Sequence, residues 1–376
     1  MTSRLSSFCT SLAAAMLVAG GLCAQAQDAA DPRNSFKVKL PAESPLSLVS
    51  ADWGQSNATA RGGAMQVDLH STLVLKNGGV RKIRAVSLLV LAQEVTPGGK
   101  GSVTVPSIDV EPGESFPVRI DLRLMRPLAA PGGTLVEVGL DGVLYDDLSF
   151  YGPNRMNSKR AMLAWEMEAR RDRRALLAAL ESGGENALRD SLLAAVARTE
   201  SQPRMAMQVM RSLPATNAGS EKQVEFAFLR IPESPLELMS GEATMAATEA
   251  RAPRVELRNG GRKPIRYVEL GWLVRDAEGK EYPAGTMPAE VSLAPGQQST
   301  VRKDSTLRFA KPVTGLTAYP AVIEFTDGEL WVPPSGAWKD PKLAAALPVS
   351  GELSRLGNVY RRKGLSAVVQ QLRAMR

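Results

Sequence analysis

The segment Leu75-Lys76-Asn77-Gly78-Gly79-Val80-Arg81-Lys82-Ile83-Arg84-Ala85-Val86-Ser87-Leu88 returns without a gap as Leu257-Arg258-Asn259-Gly260-Gly261-Arg262-Lys263-Pro264-Ile265-Arg266-Tyr267-Val268-Glu269-Leu270. Glu43-Ser44-Pro45-Leu46 likewise matches Glu233-Ser234-Pro235-Leu236, and Asp141-Gly142 matches Asp327-Gly328. One unit is therefore written twice. The spacing describes large domains in tandem, each closing its own core, and not a stack of small solenoid repeats.

In the first copy, from Phe36 to Pro153, short apolar runs alternate with turn residues. Met65-Gln66-Val67-Asp68-Leu69, Leu73 to Leu75, Ile83 to Leu91, Val103 to Ile108, Phe116 to Leu124 and Leu135 to Leu140 are separated by Gly62-Gly63, Asn77-Gly78-Gly79, Pro97-Gly98-Gly99, Pro112-Gly113 and Pro131-Gly132-Gly133. Many short strands with this punctuation predict an antiparallel sandwich of about seven strands. Asn77-Gly78 is expected to supply the positive φ angles of a tight hairpin. The second copy, 224–336, keeps the turn order: Pro295-Gly296 lies over Pro112-Gly113, Asp304 over Asp121, and Trp331 over Tyr145.

Helical periodicity follows each copy. Ser158 to Leu180 spaces Met162, Trp165, Ala169, Leu176 and Leu180 along one face, with Gly183-Gly184 as the stop. Asn186 is placed to cap a second helix carrying Leu188, Leu192, Ala195 and Val196. A shorter helical piece is expected from Arg204 to Leu213, which completes a helical extension over 154–213. Pro214 to Ser220 reads as a linker within 214–223, and a C-terminal helical extension over 337–376 starts near Asp340-Pro341. The expected fold is mainly β with α: two tandem immunoglobulin-like antiparallel sandwiches, each followed by helices.

The N-terminus carries an export signature over residues 1–26. Arg4 precedes a small apolar run from Leu12 to Val18, and Ala24-Gln25-Ala26 offers a cleavage site before Gln27. Leu22 before Cys23 argues against a lipid-modified cysteine, and Gly20-Gly21 against a retained membrane anchor. Both cysteines, Cys9 and Cys23, fall in the segment expected to be removed. A periplasmic or secreted protein without disulfides is expected, its cores held by burial alone.

With 44% apolar residues the chain has material for two cores, and at 5% aromatics that burial rests on Leu, Val, Ile and Ala. The net charge of +7 gathers in Arg170, Arg171, Arg173 and Arg174 and in Arg361, Arg362, Lys363, Arg373 and Arg376. For an exported chain, these basic helices suit an envelope protein or an anionic polysaccharide and not nucleic acid; they also read as solvated helix faces.

Catalytic constellations are scarce. His70 is the one histidine, so no cofactor or metal site is expected from histidine and cysteine ligands. Ser71 and Asp68 flank it, yet adjacent strand residues point to opposite faces, which argues against a Ser-His-Asp arrangement. Gly98-Gly99-Lys100-Gly101-Ser102 lacks phosphate-loop spacing and reads as a hairpin loop. Arg84 and Asp121, with Arg266 and Asp304, form a repeated cation–carboxylate set, either an ion pair across each sheet or a duplicated ligand site. Tyr145 and Trp331 are either wedges against the following helix or platforms for sugar rings.

Leu-x-Asn-Gly-Gly, Ile-Arg-x-Val-x-Leu, Pro-Gly and Asp-Gly-x-Leu-Tyr/Trp together resemble the immunoglobulin-like domains of exported bacterial proteins of unknown function. The resemblance spans the two β-rich blocks and carries no catalytic residue across. The chain is accordingly expected to be a non-enzymatic binding or envelope-interaction protein. The alternatives are a carbohydrate-binding module using Tyr145 or Trp331, and a hydrolase with a carboxylate site between the copies.

Overall fold

The computed structural model describes residues 35–128, 134–201, 204–211, 221–302, 305–336, 340–347 and 349–375. The export signature, Pro131-Gly132-Gly133, the linker Pro214–Ser220, Asp304 and Arg376 lie outside the described residues. The chain is mostly β, with few helices and several antiparallel sheets.

In the first copy the strands are β1 (Phe36–Lys39), β2 (Leu46–Asp52), β3 (Asn57–Arg61), β4 (Ala64–Asn77), β5 (Ile83–Leu91), β6 (Lys100–Val105), β7 (Ser115–Pro127), β8 (Val136–Tyr145) and β9 (Phe150–Tyr151). One sheet is built on β4: β2 and β3 share one edge and β7 covers the other. The other sheet runs β1-β8-β5-β6, with β9 on β8. Here β1 lies parallel to β8, Phe36 opposite Val136. Alternate residues of β7 are buried, as a strand with one wet face requires, whereas Ile83–Val90 of β5 is buried on both faces.

A long helix, α1 (Ser158–Ser201), follows, broken at Gly184, whose φ of 67° no helix accommodates. The break falls at the expected Gly183-Gly184, and the helix resumes directly after it. The expected helical piece Arg204–Leu213 is not helical where described. Met207–Arg211 forms strand β10 and pairs antiparallel with β18 (Ser305–Phe309). Apolar Met207, Val209 and the intervening polar Gln208 alternate with period two, and a free sheet edge uses that period better than a helix does.

The remaining strands of the second copy are β11 (Lys222–Glu225), β12 (Ala227–Phe228), β13 (Leu236–Ala246), β14 (Glu249–Asn259), β15 (Ile265–Asp276), β16 (Glu281–Leu293), β17 (Gln298–Arg302), β19 (Val313–Phe325) and β20 (Leu330–Trp331). One sheet runs β10-β18-β14-β13-β11, with β17 on β14; the other runs β12-β19-β15-β16, with β20 on β19. Side chains of both sheets form a single core around Trp272, including Leu236, Leu257, Ile265, Leu270 and Met287. As β1 does with β8, β12 lies parallel to β19.

By contacts the chain divides into two units. The first holds the residues to Gly78, Leu88–Val103 and Ser115–Leu140; the second holds Gly79–Ser87, Thr104–Glu114 and everything from Asp141 on. Within the second unit, α2 (Pro341–Ala346) starts at Asp340, whose side chain accepts from Lys342 N. Helices α3 (Gly351–Lys363) and α4 (Leu365–Ala374) fold back onto α1, where Leu176, Leu188 and Leu192 pack with Leu353, Leu356, Val368 and Leu372. The two expected helical extensions thus share one core.

The Asn-Gly-Gly repeats are not hairpin turns. None of Asn77, Gly78, Asn259 and Gly260 has a positive φ, and both asparagines are fully buried. The chain passes here from one sheet to the other, β4 to β5 and β14 to β15. Asn259 Nδ2 donates to the carbonyls of Lys263 (2.9 Å) and Leu293 (3.0 Å), while its Oδ1 accepts from Gly261 N (2.9 Å). The Ser-Pro-Leu repeats meet the same corners: Gly78 N donates to Pro45 O at 2.8 Å and Gly260 N to Pro235 O at 2.9 Å. Asn259→Ala would remove three hydrogen bonds, the one to Leu293 O fully buried; we expect a loss of about 3 kcal/mol, measured by urea denaturation.

Candidate binding groove

Arg84 lies buried on β5 and donates to Asp109 Oδ1 at 2.6 Å; Lys82 shares that oxygen at 3.2 Å. The segment after β6 runs back along β5, with Ile83 bridged to Val110, and this delivers Asp109 to the arginine. The expected Arg84–Asp121 pairing is thereby replaced. Asp121 sits on β7 directly across from His70 on β4, 3.0 Å from its Nδ1 and 2.7 Å from Arg119 Nε. Bonds from His70 and Arg119 hold its carboxyl below the usual carboxylate range. Arg266 pairs with Glu324, and Asp304 lies outside the described residues. His70 is exposed and Ser71 buried, so they occupy opposite faces, and Asp68 is engaged by Arg123 at 2.6 Å. Gly98-Gly99 closes the turn into β6, with Gly98 at φ 76°, while Lys100-Gly101-Ser102 already belongs to that strand.

The aromatic correspondence shifts as well. Asp141-Gly142 lies inside β8, while Asp327-Gly328 is a turn after β19. The equivalent turn of the first copy starts at Asp146-Asp147: Tyr145 N donates to Ser149 O as Phe325 N does to Glu329 O. Tyr145 therefore corresponds to Phe325, and Tyr151 to Trp331. Cations confirm the register, Arg81 stacking 3.8 Å from the Tyr145 ring centre and Lys263 5.8 Å from that of Phe325. Tyr145 is buried and offers no sugar platform. Trp331 is half-buried, and its strand faces α1 across a groove of about 450 Å³ lined by Met167, Arg171, Arg174 and Glu233.

Sequence patterning did not reveal a buried ionic cluster on α1. Glu166 Oε1 receives Arg173 (2.6 Å) and Arg170 (3.1 Å), with Arg84 Nε at 3.7 Å. Arg173 also reaches Glu352 of α3 at 3.3 Å. One turn on, Asp172 accepts from Arg171 at 2.7 Å and from Ser350, the N-cap of α3. Near the start of α1, Arg160 shares Glu324 with Arg266. The spacing of Glu166, Arg170 and Arg173 was the available signal, since those intervals put all three on one helical face.

A cavity of about 700 Å³ lies along β13 and is lined by Phe228, Arg230, Leu236, Leu238, Met239 and Pro320 among others. A second, of about 460 Å³, continues it past Glu225, Phe226, Gly241 and Glu242, sharing Phe228 and Met239. The local chain path creates this trough. β11 pairs only with Glu242–Met245 of β13; at Phe226 the chain then leaves for the other sheet, where β12 joins β19. The outer edge of Leu236–Ser240 has no strand beside it among the described residues. Phe226 anchors the crossing by donating its N–H to Gly241 O and packing edge-on to Trp272 at 5.0 Å. A Cβ on Gly241 would stand 2.5 Å from the Phe226 ring, so this contact requires glycine. Met239, at a register shift in β13, is 46% exposed.

No protein-family model and no curated protein sequence matches the chain. Among solved structures, a β-glucosidase from Kluyveromyces marxianus aligns over 71% of this chain and 45% of its own, at 9% identity and a TM-score of 0.16. The chain thus spans under half of that protein's length. Red sea bream transglutaminase aligns over 74% and 31% respectively, at 12% identity and a TM-score of 0.12. Similarities at this level carry neither fold nor activity across.

Two outcomes are expected from the ionic cluster. Arg173→Met leaves Glu166 and Glu352 buried without their shared cation and should cost about 3–5 kcal/mol in chemical denaturation. Beside the cluster, burial and the neighbouring Asp172 and Glu269 raise the Glu168 carboxyl from 4.5 to about 7, against the opposing pull of Arg171. The folded state therefore holds an extra proton in that window, and the stability from Glu168 falls as pH rises from about 4.5 to 7. Glu168→Gln should melt higher than the parent at pH 8, with the curves converging near pH 5.

Proposed function

We propose that this chain is an exported, non-enzymatic binding protein built from a duplicated immunoglobulin-like sandwich, and that it engages another protein of the cell envelope. Export is supported by Arg4, the run Leu12–Val18 and Ala24-Gln25-Ala26. The tandem-sandwich reading is supported by the matching order of one sheet in each copy, β1-β8-β5-β6 and β12-β19-β15-β16, each with a short strand parallel to a long one.

The observation that carries the binding role is the trough along β13, where a bare sheet edge, apolar walls and charged ends lie together. A second reading, an anionic polysaccharide, is favoured by Trp331 lining one groove with Arg171 and Arg174. In crosslinking and affinity capture from intact cells, the mature protein is expected to recover a specific envelope protein. Recovery of none, together with retention on isolated cell-wall polysaccharide, would replace the first reading by the second.

A further inference from the structure

The two copies match beyond their Ser-Pro-Leu corner. Ser44-Pro45-Leu46-Ser47-Leu48-Val49-Ser50 lies over Ser234-Pro235-Leu236-Glu237-Leu238-Met239-Ser240, and both strands shift register at the same place. The residue at the shift is apolar and exposed in each, Val49 at 55% and Met239 at 46%. In the second copy β11 and the Phe226 crossing build a trough beside this edge.

Resting on the binding role proposed above, we infer that the trough takes a short extended strand of a partner protein, laid against the outer edge of Leu236–Ser240. Such a stretch is about 17 Å long at ~3.3 Å per residue, room for about five residues. Its ends are fixed by Ser234 Oγ on Leu236 and by Phe226 N–H on Gly241 O, which leaves Leu238 at its centre to pair with the incoming strand. Main-chain groups of the edge provide affinity in this mode, and pockets for alternate side chains provide selectivity. Phe228, Leu238, Met239 and Pro320 form the apolar pocket. The ends differ in net charge: Arg230 joins the paired Arg258 and Glu237 at the first cavity, and Glu225 joins Glu242 and its partner Arg254 (4.0 Å) at the second. The matching strand is acidic toward Arg230, apolar opposite Met239 and basic toward Glu225.

A second copy of this chain is the poorer occupant. β11 already closes the edge at Glu242–Met245, and a bulge turns a sheet edge away from a long flat neighbour. Both features shorten the free edge to the length of a peptide.

The test selects displayed random nonapeptides on the full chain and measures synthetic versions by fluorescence anisotropy. Expected are peptides with alternating apolar residues, acidic at one end and basic at the other. Their affinity should fall at least tenfold on Met239→Lys and stay unchanged on Val49→Lys in the first copy. Arg230→Glu should weaken them comparably, and a lysine replacing the peptide's acid should restore binding to that variant. Because Met239 and Arg230 are exposed, circular dichroism should show the variants folded; the Leu238 amide, at the centre of the free edge, should gain hydrogen-exchange protection on binding. Failure to select any peptide, or peptides indifferent to both substitutions, would overturn the inference. An envelope protein captured equally by the parent and by Met239→Lys would also overturn it, while leaving the binding role intact.

Discussion

Glu166 and Arg173 of α1 and Glu352 of α3 are withdrawn from water where the two helices meet, and that withdrawal governs how the helical part is assembled. A buried charge is costly unless paired. Here each member satisfies another: Arg173 spans two carboxylates, one on its own helix and one on α3. Asp172 repeats the arrangement with Ser350 at the cap of α3. The apolar contacts of Leu188, Leu192, Leu356 and Val368 supply most of the burial, but hydrophobic contact is non-directional. The ion pairs select which turn of α3 meets which turn of α1. The repeated arginines extend the same logic, Arg84 contacting Glu166 while Arg266 shares Glu324 with Arg160.

Much of the strand plan was legible in the sequence, because strand alternation and Gly/Pro punctuation are local signals. Ile83–Leu91 was read to its boundaries, and the start of the last helices was marked by Asp340-Pro341. What failed depended on partners distant in the chain. Arg204–Leu213 resembled a helix until β18 offered an edge for Met207–Arg211. Asn-Gly resembled a turn because its dipeptide is usually one, yet here the asparagine is consumed by carbonyls of a sheet crossing. The Asp-Gly match was a coincidence of letters, displaced from the true structural equivalence, which the Arg81–Tyr145 and Lys263–Phe325 stacks mark instead.

The groove was invisible for a related reason. Its walls come from β11, β12, β13 and β19, and no periodicity links Phe228 to Pro320. The corners built on Asn77 and Asn259 recur in both copies, and the duplication marks them as scaffold.

Those corners also bear on the chemical lifetime of the protein. An asparagine followed by glycine ages by deamidation, when the next backbone nitrogen attacks the side-chain carbonyl carbon. In both corners that nitrogen is occupied, Gly78 bonded to Pro45 and Gly260 to Pro235. The Asn259 amide is further pinned between two carbonyls. The folded chain thus shields the two dipeptides that an unfolded chain would lose first, and isoaspartate at Asn77 or Asn259 becomes a record of time spent unfolded.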